Sequence, residues 1–361
     1  MRLALVHDWL NQRGGAENVL DVLVDLYPQS PLYTSIYAPD KMPEAYRTWD
    51  IRTLWLDRLP LIHAHHQPFL PLYPLAWQGL DLSDYGVILS NKSGFCHGLH
   101  KGSAVHICYC LAPTRYVWQF EHYARRESLP GAMKAVLKPL VSAMQRWDYQ
   151  AAQQVDHFIA ISSDIQRRIA RFYDRDSVII FPPVEVQRFA PVPSPADFFL
   201  VVSRLIPYKR VDLAVEACTR LNLPLKVAGS GRDRERLEAL AGPTVEFLGY
   251  VPDADLPDLL ARCRAFIFPG LEDFGIAPVE AQAAGRPVIA YRGGGALDTV
   301  VEGETGLFFD EQTVDGLCAA LQRCDSMVWD PVRIRQNAAR FDRAVFEDRL
   351  TAFVQANAKE S

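Results

Sequence analysis

The chain has 361 residues, 49% hydrophobic and 22% charged, an ordinary globular balance that excludes a disordered chain. Its 38 basic and 43 acidic side chains leave a net charge of −5, which argues against a general nucleic-acid binder, since phosphate contacts need a cationic surface. The length predicts two domains, and seven cysteines, an odd number with no C-x-x-C pair, predict a reducing, cytoplasmic setting without a disulfide framework or zinc site.

The first residues reach Arg2, His7 and Asp8 too early for a signal peptide, and no apolar run approaches the ~20 residues that span a bilayer. Residues 3–6 read as a buried strand that leads through Gly14-Gly15-Ala16-Glu17 into helical spacing at Val19, Leu20, Leu23 and Val24. Glycines at that junction let backbone amides approach an anion or sugar, or simply make a tight turn. Residues 54–77 combine Trp55, Phe69, Tyr73 and Trp77 with four prolines. They read either as an irregular buried insertion or as an aromatic surface for a lipid or glycan acceptor. Further strand-like runs lie at 87–89, 105–109, 157–161, 178–180, 198–202, 225–228, 245–248, 265–268 and 287–290, with helical patterns between many of them. Apolar strands alternating with helices predict an α/β fold with parallel sheets covered on both faces. Pro182-Pro183 and Pro191-x-Pro193-x-Pro195 interrupt this series at mid-chain and mark an interdomain linker over 184–196.

Two clusters in the second half carry the chemistry. Ser203-Arg204-Leu205-Ile206-Pro207-Tyr208-Lys209-Arg210 follows a strand and opens a helix, so Arg204 and Lys209 stand beside unpaired helix amides, as a pyrophosphate site requires. Then Pro269-Gly270-Leu271-Glu272-Asp273-Phe274-Gly275-Ile276-Ala277-Pro278-Val279-Glu280 ends a strand, crosses a glycine loop and enters a helix. Glu272 in the loop and Glu280 in the helix can face one ligand, with the amides of Phe274, Gly275 and Ile276 free for sugar hydroxyls or phosphate. Asp253-Ala254-Asp255 precedes a helical pattern and reads as a cap rather than a metal site. His63-Ala64-His65-His66 has no Cys or acidic residue close by and reads as a loop.

The E-x7-E pair, the upstream S-R-L-x-x-x-K-R and the N-terminal G-G-A-E together resemble the retaining glycosyltransferases of family 4, and the resemblance covers nearly the whole chain. It implies the GT-B fold, two Rossmann-like doubly wound domains facing across a cleft. The implied division is an acceptor-side domain at 1–183, the linker, a nucleotide-sugar domain at 197–340, and a C-terminal helix within 341–361 that packs back toward the first domain. Residues 89–91, 106–118, 146–148 and 155–162 are similar to a bacterial branch that builds O-antigen and exopolysaccharide, often with GDP-mannose. Family roles carried over place Gly15 by the donor phosphate or acceptor, and Arg204 and Lys209 on the diphosphate. Glu272 and the 274–276 amides fall on the sugar, Glu280 on the ribose, Val251 beside the base, and Arg115 and Tyr116 on the acceptor side. Where much of the branch has histidines, this chain has Ser93 and Leu111. His97 is the nearest substitute, either as a sugar-contacting catalytic residue or as a polar contact at a helix start.

The reaction so implied transfers a sugar with retention, by a front-face mechanism that needs no metal and no cofactor beyond the nucleotide-sugar substrate. A UDP-sugar donor and a nucleotide-sugar 2-epimerase of the same fold stay open. The expected partners are the donor and a glycan or polyprenyl-diphosphate-linked acceptor, met in the cytoplasm at the inner membrane face. Peripheral contact there is suggested by the 54–77 aromatics and by Arg115, Arg125, Arg126, Lys134, Lys138 and Arg146, which outnumber Glu121, Glu127 and Asp148.

Overall fold

A computed structural model describes residues 2–120, 131–193 and 196–358. Glu121, Arg125, Arg126, Glu127 and Pro195 lie outside the described residues. The chain divides into two units, residues 1–183 with 346–361, and residues 184–345.

The first unit is built on a seven-stranded sheet in the order β3-β2-β1-β4-β5-β6-β7, every pair parallel. Its strands are β1 (Leu3–His7), β2 (Leu32–Thr34), β3 (Ile51–Thr53), β4 (Val87–Lys92), β5 (Val105–Cys110), β6 (His157–Ala160) and β7 (Ser177–Ile179). The three central strands β1, β4 and β5 are buried at every position, as a parallel sheet covered on both faces demands. Residues 54–77 form two 3-10 segments and the helix Tyr73–Gln78, whose Tyr73 and Trp77 are fully buried in the core with Trp9, Ile62 and Phe95. Phe69 packs against that core, whereas Trp55 stays 45% exposed. The insertion is therefore mainly core, which removes Tyr73 and Trp77 from any acceptor-facing surface. The last helix, Arg343–Asn357, joins this unit from residue 346 onward. Phe346 meets Tyr109 edge-on at 5.6 Å and Phe353 meets His157 at 5.9 Å.

The second unit carries a six-stranded parallel sheet in the order β10-β9-β8-β11-β12-β13. The strands are β8 (Phe199–Val202), β9 (Leu225–Ala228), β10 (Val245–Gly249), β11 (Ala265–Phe268), β12 (Val288–Tyr291) and β13 (Gly306–Phe309). Two of its helices start at polar caps. The Thr313 hydroxyl accepts from the Gly316 amide, and Asp330, ahead of Pro331, accepts from the Val332 amide at 2.9 Å. The stretch 184–196, expected as an interdomain linker, is grouped with this unit. Val184 bridges to Asp342, Arg286 donates to the Val192 carbonyl at 2.9 Å, and Arg335 donates to the Phe189 carbonyl. Prolines end regular structure there, but the carbonyls they leave free are taken up by arginines of the unit.

Candidate active site

In the second unit, neighbouring strands β8 and β11 run parallel, so the loops leaving their carboxyl ends lie side by side. The β8 loop carries exposed Arg204, whose Nη2 lies 3.4 Å from the Tyr208 hydroxyl, and then a 3-10 turn, Pro207–Lys209. The helix that this cluster opens begins at Val211, behind Arg210 at φ +52°. Lys209 thus sits on the turn before the helix and ion-pairs through Nζ with Glu272 of the β11 loop. Gly270 permits this approach, since a Cβ there would stand 2.9 Å from the Lys209 carbonyl oxygen.

The β11 loop is held from behind by glycines after β12. The Gly295 amide donates to the Glu272 carbonyl at 2.9 Å, and a Cβ on Gly294 would fall 2.1 Å from that same oxygen. Phe274 is buried and meets Phe341 edge-on at 5.7 Å, which anchors the loop. Gly275, at φ +92°, precedes the first residue of the helix Ile276–Ala283, so the Ile276 amide belongs to a helix N-terminus. Glu280 lies one turn further on and is half-buried. Burial pushes its carboxyl up to about 7, with Arg188 pulling down and Asp253 pushing up. Arg188 also donates to the Asp253 carbonyl at 2.8 Å, which ties the segment beyond β10 to this neighbourhood. Half-buried Val251 lies between exposed Tyr250 and that loop. Asp255 stands at the N-cap of the helix Leu256–Arg262 but its side chain makes no capping hydrogen bond.

The first unit places Gly15 as the first residue of the helix Gly15–Leu26, at the carboxyl end of β1. Beside it lies a buried cluster that sequence reasoning missed. His7 Nε2 is 3.3 Å from Glu17 Oε1, and the Asn91 amide nitrogen lies 3.3 Å from His7 Nδ1 and 2.8 Å from the Ala16 carbonyl. The Asn91 amide nitrogen can only donate, so His7 Nδ1 accepts and Nε2 carries the proton toward Glu17. Asp8 was missed too. Its carboxylate accepts from the amides of Ser93 and Gly94 at 2.6 Å, Phe95 at 2.7 Å and Cys96 at 2.8 Å. Pairing across strands, visible only in the fold, would have been the signal for both. Arg115 is exposed on the short helix Arg115–Trp118, and Tyr116 packs 6.3 Å from Trp9.

His97 corrects the expectation attached to it. It is fully buried, it lies within a turn rather than at a helix start, and its ring lies 6.0 Å from Trp147 and 5.9 Å from Tyr173. Burial, aided by the Lys92 charge, holds the imidazole well below its usual range, so it stays neutral. Its Nε2 faces the Asp148 carbonyl at 3.3 Å. The Asp148 carboxylate accepts from Thr114, Trp118 and Tyr173 at 2.6–2.7 Å, and Lys92 Nζ donates to Thr114 at 3.1 Å. A residue with no exposed surface inside such a network has no route to a substrate sugar.

Among the described residues no three His, Cys, Asp or Glu side chains group as a metal site, and no helix is long and apolar enough to cross a membrane.

The sequence profile of the family described as "Glycosyl transferases group 1" matches residues 185–340. A GDP-mannose-dependent alpha-(1-6)-phosphatidylinositol monomannoside mannosyltransferase of Mycolicibacterium smegmatis is 32% identical over 39% of this chain and 44% of its own. O-antigen chain mannosyltransferase B of Escherichia coli is 32% identical over 31% of this chain and 29% of its own. The chain spans about half or less of the length of these curated relatives. Among solved structures, Anabaena HepE in complex with UDP superposes with a TM-score of 0.75 at 18% identity, over 99% of this chain and all of that one.

Proposed function

We propose that this chain is a retaining mannosyltransferase, on the match of residues 185–340 to the group 1 glycosyl transferases and on its two Rossmann-like domains, which have the GT-B fold. The donor in this reading is GDP-mannose and the acceptor a glycan or lipid-linked saccharide of a cell-surface polysaccharide. The observation that carries it is the Lys209–Glu272 pair on adjacent strand ends, with Glu280 one helical turn beyond the Ile276 amide. A nucleoside diphosphate needs a cation for the phosphates, a carboxylate and amides for the sugar, and a second carboxylate for the ribose hydroxyls. This cluster holds all three.

Departure of the diphosphate builds negative charge on its bridging oxygen. Lys209 and Arg204 stabilise that charge more as it grows than before it forms, which is what lowers a barrier. The leaving oxygen takes the acceptor proton on the same face, so configuration is kept and no metal is called for. The mannosyltransferase relatives support the donor assignment. The test is thermal shift with GDP, UDP and ADP, followed by transfer from GDP-mannose with retention read by NMR. Stabilisation by GDP of about 2.7 kcal/mol at 100-fold saturation is expected. A preference for UDP overturns the donor assignment, and turnover of the nucleotide sugar without any acceptor overturns the transferase.

A lipid-linked acceptor is favoured by the helix Gly131–Gln153. Met133, Val136 and Leu140 expose an apolar stripe on its first half, which also carries Lys134 and Lys138. Anionic vesicles should float the protein at low salt and lose it when both lysines become Glu. No flotation leaves a water-soluble acceptor.

A further inference from the structure

The first unit contains a cavity of about 370 Å³ that the donor chemistry does not use. Its lining includes Gln78, His97, His100, Trp147, Gln150 and Gln154. These come from the end of the helix Tyr73–Gln78, the β4–β5 connection and the last turns of the helix Gly131–Gln153 with Gln154 just beyond it. The cavity belongs to the amino ends of the strands. His100 bridges to Asp81 ahead of β4, and Asp156, just after Gln154, accepts the His106 amide at the start of β5. Ligands of open parallel sheets bind at the opposite, carboxyl ends, where Gly15 lies.

The lining has a definite chemistry. No Asp, Glu, Lys or Arg belongs to it, so neither an anion nor a cation gains a partner. Three carboxamides both donate and accept, and none has a side-chain hydrogen bond among the described residues. Trp147 presents an aromatic wall and is seated directly on the chain, since a Cβ on Gly98 would lie 2.3 Å from its ring. The group that fits is an uncharged molecule with hydroxyls for the three carboxamides and an apolar face for Trp147.

We propose that this cavity is a saccharide-binding site, taking one or two neutral pyranose rings with the ring face against Trp147 and hydroxyls on Gln78, Gln150 and Gln154. The volume lies at the small end of ligand clefts, about 300–1,000 Å³. A site at the amino ends of the strands holds saccharide without touching the transfer chemistry, so it serves as a second grip on a glycan chain. It stands whether or not GDP-mannose is the donor.

The test titrates the full chain with methyl α-mannoside, methyl α-glucoside and an α-linked mannobiose, read by saturation-transfer NMR. Saturable binding of at least one is expected. The Gln150→Ala/Gln154→Ala double variant should weaken it at least about fivefold, the equivalent of one ordinary hydrogen bond. Gln78→Ala, on a different helix, serves as an independent variant. GDP-induced thermal stabilisation should be unchanged in both, and Lys209→Ala should keep saccharide binding. Three results overturn the proposal: no saturable binding by any of the three sugars, equal affinity in wild type and both Gln variants, or loss of saccharide binding with Lys209→Ala, which would assign the sugar to the donor site.

Discussion

Lys209 and Glu272 form an ion pair although they leave the sheet on different strands, β8 and β11, which lie side by side. Each is mostly shielded, at 13% and 23% side-chain exposure. A cation held by a carboxylate in this way is placed before a phosphate arrives. In the proposed reaction it shares its charge between Glu272 and the diphosphate without a search through rotamers.

Lys209→Ala therefore removes the cation and strands Glu272. Nucleoside-diphosphate affinity and turnover should each fall at least about tenfold, because charge-assisted bonds to phosphate are the strong ones. Glu272→Ala should lower turnover more than nucleotide affinity, since its proposed contact is the sugar. The double variant should lose less than the sum of the singles, the signature of contacting residues. Calorimetry with GDP and initial rates check all three, and additive losses would mean that the two side chains act independently.

Glu280 makes the pH prediction. Burial raises its carboxyl from the ordinary 4.5 to about 7, so the folded protein binds a proton over that interval that the unfolded chain releases. A raised carboxylate pKa costs no stability below about 4.5, costs progressively more as pH rises, and costs its full amount above about 7. The ceiling is about 3 kcal/mol. Glu280→Gln should match wild type near pH 4.5 and gain on it up to pH 7–8 in urea melts. GDP affinity should show the opposite trend in the wild type. A carboxylate accepts two ribose hydroxyls, so binding should strengthen as pH passes 7 and lose that dependence in the Gln variant.

Gly294 and Gly295 predict a loop effect at a distance. An alanine at 294 needs φ +59° and puts its Cβ 2.1 Å from the Glu272 carbonyl, and one at 295 meets the Phe274 backbone at 2.2 Å. Either substitution pushes the 272–276 loop off its seat. Gly294→Ala should weaken GDP binding at least about tenfold, with strain of ~1–3 kcal/mol in stability. Thermal melts with and without GDP separate the two effects. Unchanged GDP affinity would mean that the loop adapts.

Metal independence follows from the proposed front-face departure, in which Lys209 and Arg204 carry the charge. Turnover should survive EDTA. Loss on chelation with restoration by manganese or magnesium would overturn that mechanism.

Much of this site was legible because its chemistry is written locally. Arg204, Lys209, Glu272 and Glu280 fall in two short runs, each at the end of an apolar strand. The missing pieces are those whose meaning depends on pairing. Strands β2 and β3 are three residues long, and β3 is half exposed, so neither shows an apolar run. Strand β13 begins at Gly306, where a Cβ would stand 2.0 Å from the Val288 carbonyl oxygen and where strand propensity is low. His97 read either as a sugar contact or as a polar contact at a helix start, because it is the histidine nearest to the positions where the resembling branch carries one. Only the folded chain puts Trp147 and Tyr173 around it.

Asp8 gives the last prediction. A fully buried carboxylate with four backbone amides on its two oxygens is a structural clamp, holding the segment after β4 against the end of β1. Gly94 is part of it, since a Cβ there would stand 2.9 Å from Asp8 Oδ1 and closer still to Trp9. Asp8→Asn preserves shape but replaces one acceptor oxygen by an N–H₂ that points at two N–H donors. Each buried donor left unpaired costs about 1–3 kcal/mol, so the variant should lose about 2–6 kcal/mol in urea denaturation at pH 7. Asp8→Ala, which leaves all four amides without their acceptor, should lose at least as much. GDP affinity should be unchanged wherever the Asn variant still folds, because the donor cluster belongs to the other unit. A loss below about 1 kcal/mol for Asp8→Asn would mean that water replaces the carboxylate and that the clamp does not hold the segment.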